Sequence, residues 1–207
     1  FFPMTIGAEI YYAEGADTLA ANLVEARPTI MTAVPRLYET FHHRITLGVK
    51  KAGGLKEKMF NRTVGLGTRD FQHPGSLDFG ERIVNRVLDV LVRRKVQKRF
   101  GGRLKALISG GAPLNPEIGM FFTALGLRIL QGYGQTETSP SVSINIPSTM
   151  KRHDVGPPLK GVEVKIDNDG EILVRGELFM QGYWRNDEAT RETIRDGWVH
   201  TGDIGLI

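Results

Sequence analysis

Two short apolar runs, residues 104–109 (LKALIS) and 127–130 (LRIL), constrain this chain most, because each leads straight into glycines and a helical stretch lies between them. A strand–helix–strand unit of that kind sets its strands parallel and projects the residues after each toward one crevice, outside the carboxyl ends of the sheet. The first run delivers Gly110, Gly111, Ala112 and Pro113, and the second delivers residues 131–138 (QGYGQTET). Asn115 is placed to cap the intervening helix, which Gly126 ends.

The stretches before this unit continue the alternation. A strand is expected at 9–12 and a helix at 16–26, capped by Asp17 or Thr18 and stopped before Pro28. Residues 29–34 (TIMTAV) read as a buried strand, and Pro35 opens a helix with Leu37, Tyr38, Phe41 and Ile45 on one side. Residues 50–77 are broken by Gly53, Gly54, Gly65, Gly67 and Pro74, and are expected to form a solvated surface insertion with some helix at 55–64. Residues 78–99 form the clearest helix: Asp78 and Glu81 make a capping box, and Ile83, Val84, Val87, Leu88, Leu91 and Val96 give an apolar stripe. Past Pro140 the pattern turns to β: residues 141–146 alternate, Pro147, Pro157 and Pro158 interrupt, and strands are expected at 162–166, 171–175 and 177–180, with a hairpin turn at 167–170. One more helix is expected at 188–194. The expected fold class is α/β: an open, mainly parallel sheet flanked by helices over 1–140, then a small, mainly antiparallel β subdomain over 141–207.

Composition narrows the chemistry. The 207 residues contain no cysteine, which removes disulfides, thiolate catalysis and cysteine-bound zinc. The five histidines, at 42, 43, 73, 153 and 200, lack paired metal-ligand spacing. A net charge of +4 does not require a nucleic-acid partner. The basic run at 93–105 reads either as a solvated helix end that offsets the helix dipole, or as a docking patch for an anionic membrane, nucleic acid or the 3′-phosphate of coenzyme A; no aromatic interleaving or motif supports nucleic acid. The opening residues 1–12 have no basic n-region and too few apolar residues to span a bilayer, and the termini at Phe1 and Ile207 suggest a piece of a longer polypeptide. A cytoplasmic location, with peripheral membrane contact through the basic run, is the expectation.

Within QGYGQTET, the glycines let a ligand approach the backbone, and the Tyr133 ring offers a face for a purine. Thr136 can donate to a phosphate oxygen, and Glu137 can hold Mg²⁺, a hard cation that prefers oxygen. The plainer reading is a strand-to-turn junction whose glycines serve only the backbone. Asp203, after Thr201 and Gly202, can accept both hydroxyls of a ribose or simply close an Asx-turn. Gly182, Tyr183 and Trp184 read first as packing aromatics.

Taken in order, SGGAP (109–113), QGYGQTE (131–137), GEILVRG (170–176), GYW (182–184) and TGD (201–203) resemble the adenylate-forming superfamily of acyl-CoA synthetases, luciferases and peptide-synthetase adenylation domains, and within it the long-chain fatty-acid–CoA ligases. The resemblance implies formation of an acyl-adenylate from a fatty acid and Mg-ATP, then transfer of the acyl group to coenzyme A. It implies that Gly111, Ala112, Gln131, Gly132, Tyr133 and Gly134 line the adenine side, that Thr136 meets the α-phosphate, that Glu137 holds Mg²⁺, and that Asp203 binds the ribose. By the same analogy Val34, Pro35 and Arg36, with the wall formed by Gly110, Gly111 and Ala112, line an acyl tunnel. The phosphate loop that precedes this region in the family, and the C-terminal domain with its catalytic lysine, have no counterpart among residues 1–207, so the expectation is a ligase fragment without useful activity by itself, the alternatives being a module that binds AMP or acyl-adenylate without turnover, or another acyl- or aryl-CoA ligase of the same superfamily.

Overall fold

The computed structural model describes residues 2–146 and 154–207; Pro147 and His153 lie outside them. The chain forms two compact units, one of residues 1–108 and 115–129, the other of 109–114 and 130–207. Its first sheet has the order β1 (Ile30–Ala33), β2 (Ala106–Ser109), β3 (Ile129–Tyr133), β4 (Ser143–Ile144), and the division between units falls within β2 and β3. The fold is α/β, a mixed, mainly parallel sheet with flanking helices followed by an antiparallel sheet.

In the first unit, α1 (Phe2–Thr5) precedes a segment without strand structure, so the strand expected at 9–12 is absent; Tyr11 and Tyr12 are exposed and no neighbouring strand supplies their ladder bonds. Helix α2 (Leu19–Ala26) starts after Thr18, whose side chain makes no capping bond to it, and stops at Arg27 in a left-handed conformation. Helix α3 (Pro35–Ala52) has Pro35 in its first turn, where the missing N–H costs nothing. It buries Tyr38 completely, and the phenol donates to the Ile108 carbonyl at 2.7 Å. Burial drives that phenol's pKa well above its usual value. The Tyr38 ring meets Phe122 edge-on, and Phe122 in turn meets Phe100 and Phe121, with Phe41 on Phe100, the arrangement their ring quadrupoles favour.

The expected surface insertion is largely a 19-residue helix, α4 (Gly54–Gln72), with Phe60, Thr63 and Leu66 buried. Its glycines lower helix propensity, but packing outweighs them. At Gly67 a Cβ would lie 2.5 Å from the Ala124 carbonyl, so the missing side chain is what lets α4 approach α7 (Pro116–Ala124). Downstream, α5 (Phe79–Leu88) begins with the expected capping box: Asp78 accepts from the Glu81 N–H at 2.8 Å and Glu81 accepts from the Asp78 N–H at 3.1 Å. A π-helical turn (Asp89–Arg93) then interrupts the expected single helix before α6 (Arg94–Arg99). This turn accompanies an inward Arg93, 7% exposed, whose guanidinium donates to Ala124 O, Thr63 O, Asn85 O and Asn85 Oδ1. Arg93 therefore leaves the basic run, and Arg94, Lys95, Lys98, Arg99, Arg103 and Lys105 remain exposed. The stripe also divides. Leu88 packs with Leu66 and Leu77, supported by Val84 and Val92, whereas Ile83, Val87 and Leu91 are 51%, 50% and 41% exposed.

In the second unit, β5 (Val162–Ile166) and β6 (Glu171–Gly176) form the expected hairpin, and β8 (Trp198–Ile204) lies antiparallel to β6 with β7 (Ile194–Arg195) beyond it. Residues 177–180 are a turn, not a strand: the Phe179 N–H closes onto the Gly176 carbonyl. Helix α8 (Asp187–Thr193) is capped by Asn186, which accepts from the Ala189 N–H. Val142, Val174 and Val199 are the fully packed centre, with Tyr133, Val162, Val164 and Ile172 against it. No described helix is long and apolar enough to cross a membrane.

Candidate functional site

The candidate residues Gly111, Ala112, Gln131–Glu137 and Asp203 all belong to the second unit. Where β2 ends, Gly110 lies beside Gly132, a Cβ there being 3.8 Å from the Gly132 carbonyl. Gly111 has φ +82° and faces open space, and Ala112 is exposed. The Gln131 side chain accepts from the Leu114 N–H at 3.2 Å, so it ties the SGGAP turn to β3. Asn145 secures the other edge of β3: its side chain accepts from the Gln131 N–H and its own N–H donates to the Gln131 carbonyl.

After Tyr133 the chain must turn sharply. Gly134, at φ +155°, has the Pro140 carbonyl 2.1 Å from where a Cβ would sit, so its lack of a side chain serves the turn itself. Thr138 is buried, and its hydroxyl closes the turn Thr136–Thr138 by accepting from the Gln135 N–H and donating to the Gln135 carbonyl, both at 2.9 Å. The Met180 N–H donates to the Glu137 carbonyl, and the Ser139 hydroxyl donates to the Leu178 carbonyl, so the 177–180 turn clamps this one. Thr136 is left exposed.

Tyr133 and Asp203, 70 positions apart, meet: the phenol donates to Asp203 Oδ2 at 2.8 Å. The Gln135 side chain joins them, donating to the Thr201 carbonyl at 2.8 Å and to Asp203 Oδ2 at 3.3 Å. Burial and, secondarily, the bond to the Asp203 carboxylate push the Tyr133 phenol above its usual pKa. Both of these side-chain bonds to Asp203, among the described residues, fall on Oδ2. Glu137 is likewise held by one oxygen, Oε1, which accepts from the Tyr183 phenol at 2.9 Å. Tyr183 and Trp184 are 37% and 86% exposed, so the GYW aromatics do not form the packed cluster expected of them.

Gln135 and Thr138 are contributors that sequence reasoning assigned no role, and Tyr183, read there as a packing aromatic, is one whose bond to Glu137 was not foreseen. Each lies inside a singled-out motif, but its partner is distant or is a backbone atom, which residue type alone does not disclose. Among the described residues no three His, Asp or Glu side chains converge as a protein-built metal cage.

Residues 1–184 match the AMP-binding enzyme family. The chain belongs to that family. The match contains the glycine turn, Tyr133, Glu137 and Tyr183, while Asp203 lies beyond it. Among curated AMP-binding relatives, the long-chain-fatty-acid–CoA ligase FadD15 of Mycobacterium bovis (strain ATCC BAA-935 / AF2122/97) is 36% identical over 196 residues, covering 95% of this chain and 33% of that protein. The peroxisomal long chain acyl-CoA synthetase 6 of Arabidopsis thaliana is 34% identical over 222 residues, covering all of this chain and 30% of that one. The chain thus spans about a third of the length of these relatives. Among solved structures, the N-terminal domain of FACL13 from Mycobacterium tuberculosis aligns over 100% of this chain and 43% of its own, with a TM-score of 0.64 at 20% identity. The anthranilate CoA ligase AuaEII, in complex with anthranoyl-AMP, aligns over 98% and 33%, with a TM-score of 0.63 at 22% identity. At these identities the likeness shows the fold.

Proposed function

We propose that this chain carries the adenosine-binding part of an ATP-dependent long-chain fatty acid–CoA ligase. The reaction would join a fatty acid carboxylate to the α-phosphate of ATP, releasing pyrophosphate, and then exchange AMP for the thiol of coenzyme A. The observation that carries the reading is the bond between Tyr133 and Asp203, which sets an aromatic face and a carboxylate side by side at the end of β3. Stacking on Tyr133 orients the base, and Asp203 accepts the ribose hydroxyls. Gly111 and Ala112, which follow the Gly110 that lies beside Gly132, present backbone and small surface to the purine edge and the acyl head.

Thr136, exposed at the start of its turn, donates to the α-phosphate as negative charge builds there. Glu137 suits Mg²⁺: the ion binds proteins through one or two carboxylates together with substrate phosphates, and Tyr183 occupies only one of its oxygens. Bound there, Mg²⁺ would neutralise charge on the phosphates. Tyr183 keeps the Glu137 carboxylate from rotating. Both readings of the chain, part of a ligase or a nucleotide-holding module, share this site, and a pyrophosphate-release assay separates them.

The test is titration calorimetry of the chain with AMP. Asp203→Ala removes hydrogen bonds to a charged acceptor, worth about 1.5–3 kcal/mol together, and is expected to weaken AMP by roughly tenfold to a hundredfold. Equal affinity in the variant would remove Asp203 from the site.

A further inference from the structure

The GEILVRG motif supplies a residue that the adenosine site has not used. Along β6, Glu171 pairs with Ile204 and Leu173 with His200, so two steps on β6 face four on β8. Thr201, Gly202 and Asp203 on β8 thus face the single Ile172 on β6, a surplus of two residues. A bulge of this kind releases its residues from the ladder and re-aims their side chains, and bulges are common beside functional sites. Something must hold the released backbone, because its N–H groups no longer have ladder partners.

Glu171 does so from the facing strand. Its Oε1 accepts from the Gly202 N–H at 2.8 Å, and its Oε2 lies 2.7 Å from His200 Nδ1. An ionised carboxylate only accepts, so His200 carries its proton on Nδ1. The two side chains are 17% and 15% exposed. Alongside, the Thr201 hydroxyl donates to the Ile172 carbonyl and accepts from the Asp203 N–H. The bulge is thereby pinned on each side of Gly202, one residue before the carboxylate that meets Tyr133.

We propose that Glu171 is a positioning residue for the ribose subsite: its carboxylate, divided between His200 and the Gly202 amide, holds the β8 bulge in the shape that aims Asp203. The inference rests on the adenosine reading of the site. The groups that bear on Glu171 among the described residues are His200 on β8 and Asp169 in the turn before β6. The bond to His200, then that to Gly202, keeps the carboxyl below the usual glutamate range, against a smaller opposing effect of Asp169. The clamp is therefore present at neutral pH and lost as pH falls through that lowered value.

The experiment compares AMP with 2′,3′-dideoxy-AMP by calorimetry on the wild-type chain, Glu171→Ala and Glu171→Gln, with the Gly202 amide followed by NMR against pH. Wild type should prefer AMP. Glu171→Ala should lose about tenfold or more in AMP affinity, while dideoxy-AMP, which has no ribose hydroxyls for Asp203, is unchanged. The wild-type Gly202 amide should move as Glu171 titrates, and that movement should vanish in Glu171→Gln, which serves also if the alanine variant does not fold. Equal losses for both nucleotides, or a pH response unchanged in Glu171→Gln, would overturn the proposal. No wild-type preference for AMP over its dideoxy form would instead overturn the ribose reading on which it rests.

Discussion

Gly111 and Gly134 look alike in the sequence and are required for different reasons. At Gly111 the φ of +82° is the whole constraint, since a Cβ would meet nothing within 4 Å; at Gly134 the Pro140 carbonyl stands 2.1 Å from that position. Gly111→Ala should therefore cost about 1 kcal/mol, the usual penalty of a left-handed residue with a side chain. Gly134→Ala adds overpacking against backbone, about 1–3 kcal/mol more. Urea denaturation of the two variants checks the ordering, and equal costs would contradict the close approach at Pro140. The pairing of Tyr133 with Asp203 belongs to the same scale. Motif order announces both residues, yet no local periodicity states that a phenol will donate to a carboxylate 70 positions away. Glu171 is less legible still: at the start of a strand it reads as one more polar position, and its role depends on a bulge in another strand.

Elements were legible where their signals are local. The Asp78–Glu81 box, the Asn115 cap and the 167–170 hairpin depend on neighbours within four positions, and all three form as expected. Helix α4 was legible only over 55–64, because the glycines that follow argue against its continuation, and the gain that reverses the balance comes from packing on α7. The α5 stripe shows the converse. Both 84–88–92 and 83–87–91 have helical spacing, so periodicity cannot say which one is packed, and only the first meets Leu66 and Leu77. This distinction is measurable: Leu88→Ala should cost about 2–5 kcal/mol, whereas Val87→Lys, at a half-exposed position, should stay within about 0.5 kcal/mol. Thermal unfolding of both variants reads it directly, and a large loss from Val87→Lys would mean that the outer stripe is packed after all.

Across the molecule, among the described residues, three carboxyls are held below their usual range by a bound partner: Glu81 by Arg69, Glu163 by Arg175 and Glu171 by His200. A lowered folded-state pKa favours the folded chain above the unfolded value near about 4.3 and loses that contribution as pH drops through the folded value. Denaturant titration at stepped pH should show a shallow fall from about pH 6.5, where His42, its pKa lowered chiefly by burial, protonates more readily in the unfolded chain, and then the steeper fall of these three carboxyls below about pH 4.5. Triple replacement by glutamine should flatten that fall; an unchanged acid limb would place its cause elsewhere. The central claim is that β3 and the β8 bulge together present a surface for adenosine monophosphate, and amide chemical-shift mapping of the 207-residue chain during an AMP titration tests it most directly. The account predicts saturable shifts concentrated at 110–112, 131–137 and 201–203; shifts that are absent, or that gather on the exposed cations of α6, would contradict it.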